Sequence, residues 1–149
     1  MQHTGTIYLV GAGPGPVDLL TLRAARLIQT ARVIVHDGLI GPDILDLARP
    51  DARLISVAKQ RARHTMPQED INALLVQEAL QGHDVGLISE AGMPAVADPG
   101  SSVVRAAHDL GIGVVPLVGP VSLLLALAAS GLNGQSFAFV GYLPQDAGE

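Results

Sequence analysis

The chain has 149 residues, 48% of them apolar, which is enough for one sizeable core and too hydrophobic for a disordered tail. Formal net charge is −5 with a single lysine, so the chain lacks the concentrated basic surface that nucleic-acid binding requires, and none is expected from this chain alone. Cysteine and tryptophan are absent, and two Tyr and two Phe are the only aromatics. That excludes disulfides, thiolate metal sites, a cysteine nucleophile and base-stacking shelves.

Residues Met1 to Gly5 are polar, with no signal-like apolar core after them. The longest apolar run, Val121 to Ala129 broken by Ser122, falls short of the roughly 18–20 residues a membrane helix needs. The expectation is a soluble, cytoplasmic protein without a membrane partner.

In chain order, Ile7 to Val10 is a compact apolar run ending at a Gly/Pro cluster, as a buried strand does. Leu19 to Thr30 has helical spacing, with Asp18 placed as its N-cap. Val33 to Val35 is the second strand, ending at His36-Asp37-Gly38, and Pro42 to Ala48 a short helix. Leu54 to Val57 is the third strand, before a basic segment from Lys59 to His64. A longer helix begins near Gln68 with Ile71, Leu74, Leu75 and Ala79 on one stripe, and Gly82 ends it. Val85 to Ile88 is the fourth strand, feeding a Gly/Pro/Asp-rich loop from Ser89 to Gly100. Val103, Ala106, Ala107 and Leu110 mark the next helix, with Gly111 as its C-cap, and Ile112 to Val115 the fifth strand. Gly119-Pro120 opens the apolar helix that Gly131 closes, and Phe137 to Val140 is expected as a final strand.

Strands alternating with helices give an α/β fold: an open parallel five-stranded sheet flanked by helices. Residues 1–118 are expected as the N-terminal α/β unit, and 119–149 as a linker helix and the first strand of a truncated second unit.

In such a sheet ligands bind outside the carboxyl ends of the strands. Gly11-Ala12-Gly13-Pro14-Gly15-Pro16 follows the first strand, but its spacing is not the dinucleotide fingerprint, so Asp37 is not read as a ribose-binding acid. Ser89 to Pro94 offers small residues and Glu90, while Asp98 reads as a helix cap. Lys59, Arg61, Arg63 and His64 could also be an ordinary solvated loop. The five His show no metal-ligand spacing, and no Gly-x-Ser-x-Gly nucleophile elbow is present.

Tyr8-Leu9-Val10-Gly11-Ala12-Gly13-Pro14-Gly15, Asp18 to Ala24 and Val33-Ile34-Val35-His36-Asp37 resemble the tetrapyrrole methylases, S-adenosylmethionine-dependent enzymes of the class III fold. With Lys59, Arg61, His64, Gln68 and Ile71-Asn72, the first half is similar to uroporphyrinogen-III C-methyltransferases. The second half resembles the branch that 2′-O-methylates small-subunit ribosomal RNA, through Leu87 to Pro94, Asp98-Pro99-Gly100, Val114 to Pro120, Ser130-Gly131-Leu132 and Gly141 to Pro144. The seam lies near Gly82 to Val85, as in a divergent member or a chimera. The chain departs from the family at Pro16, at His36 and Gly38 flanking Asp37, at Ala58 before Lys59, and at Glu90 to Pro94 in place of a Gly-Gly-Asp-Pro loop.

The resemblance implies an acid–base pair at Asp37 and Lys59, although Asp37 could equally be a turn residue before Gly38. It also implies cofactor contacts at Pro14, Glu90, Ala91, Gly92, Val121 and Ser122. S-adenosylmethionine would be the cofactor, S-adenosylhomocysteine the product and a tetrapyrrole the substrate. A homo-oligomer, as a dimer, is expected, and an isolated half-cleft would be inactive. The alternatives are a ribosomal RNA ribose methyltransferase-like domain and a non-catalytic α/β scaffold.

Overall fold

The computed structural model describes residues 3–56, 68–90, 93–94 and 101–141. Five parallel strands, β1 (Ile7–Gly11), β2 (Val33–His36), β3 (Arg53–Ser56), β4 (Val85–Ser89) and β5 (Val114–Pro116), form one sheet in the order β3-β2-β4-β1-β5. The helices are α1 (Leu22–Thr30), α2 (Pro42–Leu45), α3 (Gln68–Leu80), α4 (Ser101–Asp109) and α5 (Ser122–Ser130). The expected open parallel sheet is therefore present, with β4 at its centre.

Alternation along the strands divides the core into two layers. Ile7, Leu9, Val33, Val35, Val85 and Leu87 pack with Ile71, Leu75, Val76 and Ala79 of α3 and Val103 and Ala107 of α4. Val10, Ile34 and Ile88 face the other way, against Ala24, Leu27 and Ile28 of α1 and Ile44 of α2.

Several boundaries differ from expectation for local reasons. Pro16 leads Val17–Leu19 into a 3-10 turn, so Asp18 does not cap the helix. Thr21 does, its hydroxyl accepting from the Ala24 N–H at 3.0 Å. Helix α2 stops at Leu45 and residues 46–48 continue as turns. Ile112 donates its N–H to the Ala107 carbonyl at 2.9 Å, closing α4 and delaying β5 to Val114. Leu110, beyond the end of α4, is exposed.

The expected strand from Phe137 to Val140 is not formed. Among the described residues no strand lies beside it, and a strand exists only through a ladder partner. Helix α5 is present as expected, closed by Gly131 at φ +77°, yet none of its residues is buried. No described helix is long and apolar enough to cross a membrane.

Candidate functional site

Because all strands run parallel, the segments leaving β1, β2, β4 and β5 emerge at one edge of the sheet. Two contacts between backbones and small side chains bring the first and last of these together. A Cβ on Gly119 would stand 3.1 Å from the Gly11 carbonyl oxygen, and one on Gly13 would stand 3.3 Å from Cγ of Pro120. Gly13 and Gly15 adopt φ of +83° and +144°, which L side chains rarely take, so the glycines answer a backbone need. The result sets Pro14, exposed at the tip of the first loop, at the same edge as Val121 and Ser122, which open α5.

The β2 and β4 ends are joined by Asp37. Its Oδ1 accepts from the Leu39 N–H at 2.9 Å, a turn-forming bond, and its Oδ2 accepts from the Glu90 N–H at 3.2 Å. The Asp37 N–H in turn donates to the Ile88 carbonyl at 3.3 Å. This half-buried carboxylate thus fills the turn role and also ties together two strand ends 53 residues apart. Each carboxylate oxygen has a further lone-pair direction with which to receive a proton.

Buried His36 places Nδ1 2.7 Å from the Asp37 carbonyl oxygen. A carbonyl only accepts, so Nδ1 carries the hydrogen and a neutral ring leaves Nε2 as an acceptor.

Of the residues expected at the site, Pro14, Asp37, Glu90, Val121 and Ser122 lie at the carboxyl edge. Lys59, Ala91, Gly92 and Asp98 lie outside the described residues, as do Arg61, Arg63 and His64. The sequence placed Ser89 only among the small residues of the loop to Pro94 and did not single out its hydroxyl, which is buried without a hydrogen-bond partner among the described residues. The available signal was a lone polar residue ending an apolar strand.

The opposite edge differs in chemistry. Arg32, Asp51, Arg53, Glu78 and His83 line a pocket of about 240 Å³ there. Glu78 bridges Arg53 at 3.0 Å and His83 at 2.8 Å. Asp51 is held below the usual carboxylate range by its hydrogen bonds from Arg49. Among the described residues, no group of three His, Asp or Glu side chains is arranged to hold a metal.

The sequence profile described as Tetrapyrrole (Corrin/Porphyrin) Methylases matches residues 6–142. The chain belongs to the tetrapyrrole methylase family. Over 153 aligned residues it is 41% identical to a siroheme synthase of Hahella chejuensis, covering 98% of this chain and 32% of that protein. This family member spans about a third of the length of such curated relatives. The crystal structure of a uroporphyrin-III C-methyltransferase from Thermus thermophilus superposes with a TM-score of 0.68 at 36% identity, covering 87% of this chain and 54% of that one. A second structure from that organism, solved with S-adenosylhomocysteine, gives a TM-score of 0.63 at 36% identity, over 80% of this chain and 47% of that one.

The residues present suit a ligand of that kind. S-adenosylmethionine carries no phosphate, so it asks for close backbone approach and single polar contacts rather than an anion cradle. Glycine backbone at 11, 13, 15 and 119, open space beside Gly15 and an unpartnered hydroxyl at Ser89 meet that description.

Proposed function

We propose that this chain is a cofactor-binding domain of an S-adenosylmethionine-dependent tetrapyrrole C-methyltransferase, with uroporphyrinogen III as the acceptor to test first. The observation that carries this reading is the likeness, at 36% identity, to a uroporphyrin-III C-methyltransferase holding S-adenosylhomocysteine. Pro14, Glu90, Ala91, Gly92, Val121 and Ser122 would contact the cofactor.

The cofactor supplies an electrophilic methyl group. When a tetrapyrrole carbon takes that methyl, a proton must leave, and Asp37 would accept it as general base. Its two backbone hydrogen bonds fix the carboxylate without occupying every lone pair. Lys59 would bind an acceptor propionate or return a proton.

Positioning supplies much of the rate in such a transfer. A chain spanning 54% of the Thermus relative would provide one wall of the cleft, and residues from 119 onward would begin the connection to the other. The 149-residue chain is therefore expected to bind S-adenosylhomocysteine weakly, no tighter than about micromolar, and not to turn over alone. Titration calorimetry with S-adenosylhomocysteine tests binding. Incubation with labelled S-adenosylmethionine and uroporphyrinogen III, with and without a separately supplied second domain, tests turnover. Label transfer by the chain alone, abolished in Asp37→Asn, would refute the half-cleft view. No binding at millimolar ligand would favour the non-catalytic scaffold.

Ribosomal RNA methylation is the weaker alternative. The net charge of −5 and the scarcity of aromatics oppose unaided RNA binding. Soluble, cytoplasmic residence and a homodimer are part of this proposed reading.

A further inference from the structure

Strand β4 reads Val85-Gly86-Leu87-Ile88-Ser89, and its last residue is the one polar side chain in the strand. Ser89 is 6% exposed, and its Oγ makes no hydrogen bond, the one such buried side-chain atom among the described residues. A buried hydroxyl without a partner loses its hydration and receives nothing in return, whereas alanine would fill nearly the same space without that cost. The ligand-free fold therefore gives no reason for serine here.

The surroundings suggest one. Ser89 stands in register with Gly11, the first residue of the glycine loop. Its carbonyl accepts from the Ala12 N–H at 2.8 Å, and the N–H of the following Glu90 is held by Asp37. The hydroxyl thus sits between the glycine loop and the proposed base, at the centre of the carboxyl edge. Strand alternation puts it on the face with Val85 and Leu87, where Met93 also packs. Serine turns about one bond, so a rotamer change alone can redirect the oxygen along the strand direction without moving the backbone.

We propose that Ser89 is a further cofactor-binding residue, whose hydroxyl acquires its missing hydrogen bond from a polar group of the bound nucleoside–amino-acid sulfonium or of its thioether product. This rests on the S-adenosylmethionine reading above. Serine would then be kept at the expense of ligand-free stability, a trade seen where a site must present an unsatisfied group to its ligand.

The test is Ser89→Ala in the 149-residue chain, read by calorimetry with S-adenosylhomocysteine and by thermal unfolding without ligand. The expected affinity loss is about tenfold, equivalent to one hydrogen bond. Ligand-free melting should rise by about 2–4 °C as the unsatisfied hydroxyl disappears. Unchanged affinity in Ser89→Ala, with wild type binding, overturns the proposal and leaves the cofactor reading intact. A lower melting temperature also overturns it, because the hydroxyl would then already have a partner. Failure of wild type to bind overturns both, the cofactor reading first.

Discussion

Asp37 accepts two backbone N–H groups, one within its own turn and one from the far side of the β2–β4 seam. Two substitutions separate its supporting role from its chemical one. Asparagine keeps one acceptor oxygen but turns an amide toward the other N–H, so Asp37→Asn should cost about 1 kcal/mol in urea unfolding. Asp37→Ala loses both bonds and should cost about 2 kcal/mol. Under the proposed function, and with a second domain supplied separately, Asp37→Asn should lower kcat by about 10²–10⁴ while binding S-adenosylhomocysteine nearly normally. Equal kcat in wild type and Asp37→Asn would remove the base assignment and leave only the turn. The sequence made Asp37 visible because it stands at a strand end before glycine. It could not show the Glu90 bond, which depends on β2 and β4 being neighbours. It misplaced the α1 cap for a related reason: Asp18 and Thr21 are both good cap residues, and the 3-10 turn after Pro16 decides between them.

At the scale of elements, the loops after β1 and β5 interlock through glycine. Gly13→Ala would place a side chain at φ +83° and press it against Pro120 at 3.3 Å. A destabilisation of about 1–2 kcal/mol is expected, with weaker S-adenosylhomocysteine binding as the loops separate. Gly111→Ala is the control: φ is +71° with nothing within 4 Å, so stability should fall while affinity holds. Equal affinity losses in both variants would show that the Gly13 contact has no special part in the site. Helices and strands were largely legible here because Ile71, Leu75 and Ala79 of the expected α3 stripe are buried, with Val76 in place of Leu74, and β2 and β4 are apolar up to the His36 and Ser89 that end them. Phe137 to Val140 is equally apolar but has no neighbouring strand among the described residues, and apolar character cannot supply one. Spacing likewise announced a parallel sheet but not its strand order.

At the scale of the whole molecule, α5 and the segment after it carry several exposed large apolar side chains among the described residues. Leu124 is 46% exposed, Leu125 56% and Val140 85%, on a chain whose helix has no polar face to turn outward. Self-association should follow, visible by light scattering as a mass above the monomer that rises with concentration. Leu124→Glu with Leu125→Glu should restore the monomer without lowering the melting temperature. A monomer at all concentrations in wild type would overturn this. The strand order also governs how the molecule is made. β1 has only β4 and β5 as neighbours, and β2 meets β1 only through β4, so β2–β3 is the single pair joined by nearby sequence. A ribosome must therefore deliver the chain through Ser89 before β1 has any ladder partner, and until then two apolar strands wait with open edges. Refolding should be correspondingly slow for a chain of this size, limited by threading β4 between strands already drawn together by collapse.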